Sequence, residues 1–445
     1  MKKRLLAVIL AGAMMISLTA CGNSASPTPS KDEGSEASSV AASNTTQAAG
    51  DTKSADSGKD VTLTVWASGA GPQVDAMKTA CEGFSKESGY KVEFSAPGDT
   101  YEELMKTKMA ANDMPDVFDT HGWSVKRYSD FLMPVNDLDF AANIDKQIKP
   151  IVSDEDGNIY VLPMDMDISG LVYNVDVVKE AGIDVDQIKT WDDFEAACDK
   201  VLAIGKNPIH MGGANSFTVG WFYDRVAPSF YITDDANSKA EELKSGTFDK
   251  EIWKKISAML DSWVTKGYLN KDCVSGEYTA DVTSAANGDT AFLFYGNVAM
   301  SIAQGINKDV KLGMMPIPSC SKDDEPSLIA GENVAFGIWK DTKHKDAAVE
   351  LLEYLSRPEV ASTIAKATGN KPALTTVTAD IGMAQEYLDK YADVETFPYF
   401  DREYCPSGLW DVICSTGQDV LAQKAGAIDD GADQVAATFS EKFGQ

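Results

Sequence analysis

Two aspartates, Asp165 and Asp167, stand two residues apart in the otherwise apolar run YVLPMDMDISGLVYN. Such a pair could act as general acid and base, hold a metal ion, or accept hydrogen bonds from a polar ligand. In an extended strand, residues two apart point to one face, with Cα atoms about 6.5–7 Å apart. This spacing overlaps the carboxylate separations of glycosidases, roughly 5–9.5 Å. Glycosidases normally draw their two carboxylates from different elements, which face each other across the sugar. Two side chains that stand parallel on one strand cannot flank a bond, so this geometry favours ligand binding over catalysis.

Other catalytic and metal-binding patterns are not found in the sequence. His121, His210 and His344 are far apart and form no HExxH motif, so we expect no zinc site. The patterns GxSxG, GxxxxGK[ST] and GxGxxG are also missing. The segment DEDGN, residues 154–158, has its glycine at the fourth position instead of the sixth position of a calcium loop, so it predicts a hairpin turn. We expect no catalytic residues, no metal and no cofactor.

The first twenty residues, MKKRLLAVILAGAMMISLTA, have the basic start, apolar middle and small-residue end of a secretory signal peptide. The sequence LTACG that follows resembles a bacterial lipobox, which implies cleavage before Cys21 and lipidation of its thiol. Residues 21–59 are rich in Ser, Ala, Thr and Gly, and this composition predicts a flexible tether. We therefore expect an exported protein that is anchored to the cell membrane through lipid on Cys21.

Composition limits the partners and the domain count. The chain has 40 Lys and Arg against 68 Asp and Glu, a net charge of −28, which argues against nucleic acid and against an anionic membrane surface as partners. Residues 60–445 are too many for one small core and predict two domains. The cysteines after Cys21 form no CxxC motif. Cys405 and Cys414 are close enough in sequence to form a disulfide, and buried free thiols are the alternative.

The first part of the folded body alternates strands with helices. VTLTVW, YKVEFSAP and MPDVFDT read as strands, separated by the helical segments PQVDAMKTACEGFSKESG and YEELMKTKMAAND. This β-α-β-α-β order predicts a parallel sheet covered by helices, an α/β fold. Further along the chain, KDAAVELLEYLSRPEVASTIAKATG predicts one long helix, and the C-terminal part reads as mostly helical.

Polar and aromatic side chains cluster where the predicted strands end. Ligands of open parallel sheets bind beyond the carboxyl ends of the strands, so these side chains are candidate ligand contacts. Aromatic rings stack on sugar rings, and carboxylates and amides bind hydroxyls, so the set predicts a ligand with many hydroxyls. The candidates are Trp66, Ser68, Asp119, Trp123, Asp165, Asp167, Tyr295 and Asn297, with Glu332 in AGENVAF as a further one.

Nine stretches, in this order, resemble the extracellular solute-binding proteins of bacterial ABC importers, in their sugar-binding, maltose-binding-protein-like group. They are LTVWAS, FSKESGYKVEF, MPDVFD, GNIYVLPMDMDISGLVYNVDVVKEAGI, TWDDFEAACDKV, GWF, NGDTAFLFYGNVAMS, KLGMMPIP and DAAVELLEYLSRPE. Each stretch alone is a weak signal, but their order is specific. The resemblance covers nearly all of residues 60–445.

The resemblance implies a two-lobe periplasmic-binding-protein fold of the type II-like class, in which each lobe is a sheet flanked by helices and the ligand lies between the lobes. The implied first lobe is 60–166 plus 310–358, and the second is 167–309 plus 359–445. The stretch containing Asp167 becomes the first crossover between lobes, and Asp167 matches a ligand-contacting acidic position of the family. The resemblance adds as ligand-contacting aromatics Trp221, Tyr223 and Trp410.

The implied function is capture of a monosaccharide or oligosaccharide and its delivery to the membrane permease of an ABC importer by a monomeric receptor. Where the maltodextrin binder has Asn-Gly-Pro-Trp, this chain has Tyr295-Gly296-Asn297-Val298, so a different sugar is expected. Three alternatives stay open from the sequence. One is a surface glycoside hydrolase that uses Asp165 and Asp167, and another is a binder of a peptide or polyamine. The third is an adhesin or sensor partner without transport.

Overall fold

The structure is a computed structural model that describes residues 60–443. The predicted signal peptide, the lipidation of Cys21 and the tether therefore lie outside the described residues. Within residues 60–443, the helices are each too short or too polar to cross a membrane.

The described chain alternates short strands with helices along most of its length. Its strands are β1 (Thr62–Trp66), β2 (Lys91–Ser95), β3 (Val117–Asp119), β4 (Val161–Pro163), β5 (Asp165–Ser169), β6 (Leu171–Asn174), β7 (Asn207–Ile209), β8 (Thr290–Leu293), β9 (Leu312–Met315), β10 (Leu328–Gly331), β11 (Ala335–Ile338), β12 (Lys371–Pro372) and β13 (Thr396–Pro398). Its helices are α1 (Pro72–Ser88), α2 (Tyr101–Ala111), α3 (Val125–Tyr128), α4 (Val175–Glu180), α5 (Trp191–Ala203), α6 (Ser216–Tyr231), α7 (Ala240–Lys244), α8 (Lys250–Lys266), α9 (Tyr278–Ala286), α10 (Val298–Ile306), α11 (Lys345–Leu355), α12 (Pro358–Thr368), α13 (Ala384–Lys390), α14 (Phe400–Tyr404), α15 (Leu409–Leu421) and α16 (Ala427–Lys442).

The predicted β-α-β-α-β unit is confirmed. β1 pairs in parallel with both β2 and β3, and α1 and α2 connect them. α1 ends at Gly89, whose φ of +85° is the left-handed conformation that stops a helix. This sheet has the strand order β2-β1-β3-β11-β4, and β11 lies antiparallel to β3 and β4.

The prediction of one helix over residues 345–369 is wrong. The structure has two helices there, α11 and α12, which are separated at Ser356 and Arg357. Arg357 is extended (φ −61°, ψ 137°) because the ring of the following Pro358 disfavours the helical conformation at the residue before it. Pro358 then starts α12, where its missing N–H costs no hydrogen bond.

Two hydrophobic cores lie within the described residues. The first core contains β1, β3, β4 and β11 with the helices that cover them. The second core contains one face of the sheet β7-β8-β6-β9 with α5, α6, α8, α15 and α16, and residues of β6, β8 and β9 on the other face belong to the first core. Trp253 and Trp263 are fully buried in the second core, as the helical spacing of α8 predicts.

A third sheet, with the order β12-β5-β10-β13, lies between the two cores, and we call it the crossover sheet. Successive side chains of a β-strand point to opposite faces, so a strand between the two cores can supply side chains to both. On β10, Leu328 and Ala330 belong to the first core and Ile329 to the second. On β5, Met166 and Ile168 point to the first core. The chain therefore passes between the cores within one hydrogen-bonded sheet.

Core membership is not the same as a lobe assignment. Buried residues of α10 and α12 belong to the first core, although the sequence prediction assigned both helices to the second lobe. The predicted boundaries, 60–166 plus 310–358 and 167–309 plus 359–445, remain predictions.

Gly170 joins β5 to β6 at a point where a side chain has no room. A Cβ there would lie 2.0 Å from the backbone oxygen of Met315, which is held by the pairing of β9 with β6. We expect Gly170→Ala to lower the free energy of unfolding by about 3 kcal/mol, measured by urea denaturation.

Gly305→Ala is the matched control for this substitution. Gly305 lies in α10 with open space around its Cβ position, so the alanine should raise the free energy of unfolding by up to about 1 kcal/mol. Equal urea midpoints for wild type and Gly170→Ala would contradict the packing described at the β5–β6 junction.

Candidate functional site

Asp165 lies fully buried on β5, and protein donors occupy its carboxylate. It accepts hydrogen bonds from the backbone N–H groups of Asn333 at 3.2 Å and Val334 at 2.8 Å, and from the Asn370 side-chain amide at 3.0 Å. Burial raises the pKa of Asp165, and these hydrogen bonds act in the opposite direction. Asp165 thus ties β5 to the segments that follow β10 and precede β12. A ligand at Asp165, as predicted, would have to displace one of these donors.

Asp167 lies on the same face of β5 and keeps part of its surface exposed. The Tyr399 hydroxyl donates to Asp167 Oδ2 at 2.5 Å, and the Ser169 hydroxyl donates to Oδ1 at 3.1 Å. The backbone at Gly296 packs closely, since a Cβ there would lie 2.8 Å from Asp167 Oδ1. Of the two predicted aspartates, Asp167 has the more accessible carboxylate.

Two arginines that sequence analysis missed reach the crossover sheet beside Asp167. Arg225 of α6 is buried, and its Nη2 donates to Ser169 Oγ at 3.5 Å. Arg402 of α14 donates from Nη1 to the backbone oxygen of Glu332 at 2.9 Å. Its guanidinium also stacks on the Tyr399 ring, 4.4 Å from the centroid. Both arginines therefore extend from helices that pack in the second core and donate hydrogen bonds to β5 or to the residue that follows β10.

Glu332 follows β10 and is 2 % exposed. Burial raises the pKa of its carboxyl from the ordinary 4.5 to about 7, although the positive charge of Arg402 opposes this shift. The negative charges of Asp119 and Asp165 raise it further. Glu332 therefore exchanges its proton close to neutral pH.

Asp119 and Ser68, both predicted ligand contacts, bond to each other. Asp119 is fully buried and accepts from the Ser68 hydroxyl at 2.5 Å, from the His121 N–H at 2.9 Å and from the Ala335 N–H at 2.9 Å. These bonds join the loops that follow β1 and β3 to the start of β11. The arrangement positions the strand ends at the edge of the first sheet.

The predicted ligand-contacting aromatics Trp66 and Trp123 lie close to charged side chains. The Trp123 indole N–H donates to Glu102 at 2.5 Å, and the Arg127 guanidinium lies 3.8 Å from the centre of its ring. Trp66 is half-buried with the Lys108 ammonium 5.1 Å from its ring centroid. Trp123 is buried, so of the two only Trp66 offers a substantial ring surface.

Two of the predicted aromatics contact each other, and a third packs on the helix that carries one of them. Trp221 is half-buried and meets Tyr295 edge to face, with ring centroids 4.9 Å apart. The Tyr295 hydroxyl donates to Asp281 at 2.5 Å, which fixes its ring. Trp410 packs on Gly220, next to Trp221 in sequence, where a Cβ would lie 2.7 Å from its ring. This grouping is the kind of surface on which a sugar ring stacks.

Tyr223 and Asn297 lie where a ligand does not reach them in this conformation. Tyr223 is 1 % exposed in the second core, stacked on Trp253 with its hydroxyl bonded to Ser257 at 3.0 Å. Asn297 is fully buried, and its side-chain amide donates to the Gly369 oxygen at 3.2 Å. The structure therefore brings together Asp165, Asp167 and Glu332, and separately Trp221 and Tyr295. Trp410 packs on α6 at Gly220, and Tyr223 lies apart in the second core.

A repeated four-residue pattern could have revealed the missed residues. Phe-Tyr-Asp-Arg occupies 222–225 and Tyr-Phe-Asp-Arg occupies 399–402. Each is two aromatics followed by an Asp–Arg pair in a mostly apolar setting. Buried charges in such a setting need partners, so each pair was a candidate for a role beyond packing.

Other sequence predictions can be compared with the described residues. The segment DEDGN forms the predicted turn, with Gly157 at φ +81° and a bridge between Ser153 and Ile159. Cys405 and Cys414 are free thiols in this structure. Among residues 60–443 there is no cluster of three or more His, Cys, Asp or Glu side chains arranged for a metal ion.

Residues 67–362 match the profile of the bacterial extracellular solute-binding proteins. The chain belongs to this family. The resemblance drawn from sequence is thereby confirmed, and the members of the family are binding proteins rather than enzymes.

Two curated relatives of this solute-binding protein have sugar-binding names. It is 32 % identical to the melibiose/raffinose/stachyose-binding protein MelE of Bacillus subtilis over 374 residues, which cover 83 % of this chain and 87 % of MelE. It is 22 % identical to the multiple sugar-binding protein of Streptococcus mutans, over 74 % of this chain and 79 % of that protein.

Solved structures confirm the two-lobe α/β fold. The binding protein MsmE of Bacillus subtilis, in an open conformation, is similar with a TM-score of 0.81 and 30 % identity, covering 87 % of this chain and 98 % of that one. A sugar transporter of Bacillus licheniformis in complex with stachyose is similar with a TM-score of 0.76 and 31 % identity, covering 86 % of this chain and 100 % of that one.

The protonation of Glu332 makes stability depend on pH. Its pKa is higher in the folded protein, so the folded state holds more protons and loses stability as pH rises from about 4.5 to about 7. We expect Glu332→Gln to remove this loss, so that unfolding free energy falls by about 3 kcal/mol less than in wild type between pH 4.5 and 8. Urea denaturation at both pH values measures the difference. Glu325→Gln, at an exposed position before β10, should follow wild type; parallel curves for all three proteins would refute the assignment to Glu332.

Proposed function

We propose that this solute-binding protein is the receptor of an ABC importer for neutral oligosaccharides of the melibiose, raffinose and stachyose type. The observation that carries the proposal is the similarity above 30 % identity to two proteins with these ligands, MelE by its name and the Bacillus licheniformis protein by its stachyose complex. Both similarities extend over more than four fifths of this chain.

The side chains around the crossover sheet support a neutral, hydroxyl-rich ligand. Asp167 offers a partly exposed carboxylate, and the rings of Trp221 and Trp410 offer stacking surfaces at the second lobe. Carboxylates bind sugar hydroxyls, and aromatic faces bind the apolar faces of sugar rings. On this proposal, ligand binding joins surfaces from both lobes and favours their closure.

An anionic solute is the competing class, because several relatives at about 25 % identity are named as sn-glycerol-3-phosphate-binding proteins, such as the one of Escherichia coli. The two arginines near Asp167 argue against it. Arg225 donates to a serine and Arg402 to a backbone oxygen, and the carboxyls of Asp224, Asp401 and Glu332 surround Arg402. A phosphate at Arg402 would meet these carboxyls.

The proposal also includes the parts of the chain outside the described residues. Export through the signal peptide and lipid on Cys21 would hold a monomeric receptor close to its permease. The sequence LTACG supports this anchoring, and the composition of residues 21–59 supports a tether long enough for the folded part to reach the permease.

Isothermal titration calorimetry with the folded part of the chain tests the solute class. We expect stachyose and raffinose to bind, and maltotriose and sn-glycerol 3-phosphate to give no heat of binding at the same concentrations. Binding of a peptide or a polyamine, with no sugar bound, would overturn the carbohydrate assignment.

Asp167→Asn separates binding from catalysis. The substitution keeps the size of the side chain and removes its charge, so we expect affinity for stachyose to fall about 10- to 100-fold, as for loss of a charged hydrogen-bond acceptor. Neither wild type nor variant should release the chromophore from a nitrophenyl α-galactoside. The exposed Asp156, changed to Asn, serves as the control. Hydrolysis by wild type that disappears in Asp167→Asn would instead establish a glycoside hydrolase.

A further inference from the structure

Two aspartates, Asp224 and Asp401, lie close together where α6 packs against α14. Asp224 is 4 % exposed, Asp401 is partly buried, and the backbone N–H of Asp401 donates to Asp224 Oδ1 at 3.0 Å. Burial raises the pKa of Asp224 well above its usual range, and the negative charge of Asp401 raises it further. Burial also raises the pKa of Asp401, which Arg402 opposes. Both shifts favour a protonated carboxyl, because two carboxylates held close together with little water resist ionising at the same time.

Each of these aspartates precedes an arginine that reaches the crossover sheet. Arg225 follows Asp224 and donates to Ser169 on β5. Arg402 follows Asp401 and donates to the backbone of Glu332 after β10. Asp224 and Asp401 therefore link α6 to α14. Arg225 and Arg402 link the same two helices to β5 and to the segment after β10.

The same contact places Tyr399, which precedes α14. Its hydroxyl donates to Asp167 and lies 2.9 Å from Ser169 Oγ, and its ring carries the Arg402 guanidinium. A shift of α14 away from α6 would move Tyr399 and Arg402 together, because both belong to one turn of chain. Such a shift would alter the hydrogen bond that Tyr399 donates to Asp167, the carboxylate proposed to bind the ligand.

We propose that Asp224 and Asp401 form a proton-sharing pair that positions Tyr399 and Arg402 against Asp167 and Glu332, and so sets the affinity for ligand. Neither aspartate touches the ligand in this proposal, so both are positioning residues. The proposal rests on the proposed function insofar as the ligand binds at Asp167.

The charged and titratable groups around the pair determine the direction of the pH effect. They are Arg225 from α6, Arg402 from α14, Glu332 after β10, and the thiols of Cys405 and Cys414. Burial raises the pKa of both thiols, so they add no negative charge near neutral pH. A rise in pH that removes the shared proton leaves two carboxylates in contact. Their repulsion separates α6 from α14 and weakens binding.

Calorimetry with stachyose from pH 6 to pH 9.5 tests the positioning role. A Glu332→Gln background removes the carboxyl whose pKa is about 7. We expect affinity in this background to fall about 10-fold towards pH 9.5, equal to the loss of one well-placed hydrogen bond. Adding Asp224→Asn, which imitates the protonated member, should make the profile flat, with affinity at pH 6 within about threefold of the background. Asp224→Ala, which removes the acceptor of the Asp401 backbone N–H, should weaken binding at every pH.

The control is Asp411→Asn, which changes an exposed carboxyl on the neighbouring α15 and should leave the background profile as it is. Equal pH dependence with and without Asp224→Asn would overturn the proposal.

A measurement without sugar keeps this proposal separate from the proposed function. Carbon-13 NMR of the carboxyl groups in the ligand-free protein should show Asp224 and Asp401 sharing two linked titration steps, and the Tyr399 ring resonances should move with them. Asp224→Asn should abolish that movement. Independent titration of the two carboxyls at ordinary values would refute the shared proton. If the NMR result holds and no sugar binds, the proposed function fails and the positioning pair stands.

Discussion

The arrangement of the candidate site depends on the position of the crossover sheet between two hydrophobic cores. Successive side chains of a strand in that position point to opposite faces of the sheet. β5 directs Met166 and Ile168 to the first core, which leaves Asp165, Asp167 and Ser169 on the other face. The polar groups are thus confined to one face, and the helices that approach that face, α6 and α14, must bring their partners.

Part of this arrangement could be predicted from sequence. The alternation in MDMDIS places both aspartates on one face, and the turn, the first three strands and α1 follow from local patterns. Local patterns could not distinguish the two aspartates, because the donors that occupy Asp165 come from residues 168 to 205 positions away. Tyr399, which bonds Asp167, is 232 positions away.

The same limit applies to the aromatics of α6. Successive helical residues turn by about 100°, so side chains two apart point in nearly opposite directions. Trp221 and Tyr223 therefore cannot share one surface: Trp221 meets Tyr295, and Tyr223 enters the second core. A resemblance to relatives suggested both, whereas helical geometry allows only one. The choice depends on which face of α6 the second core covers, and that is a property of tertiary packing.

The position of β13 and Tyr399 near the end of the chain has a consequence for folding. A chain that is synthesised from its N-terminus can form β1 to β5 early, but Asp167 has no phenol partner until residue 399 has emerged. The last strand of the crossover sheet arrives at the same time. A copy that ends before β13 lacks both this strand and the phenol that donates to Asp167. On the proposed function, the carboxylate offered to the solute therefore acquires its native partner only when the C-terminal part of the chain has folded.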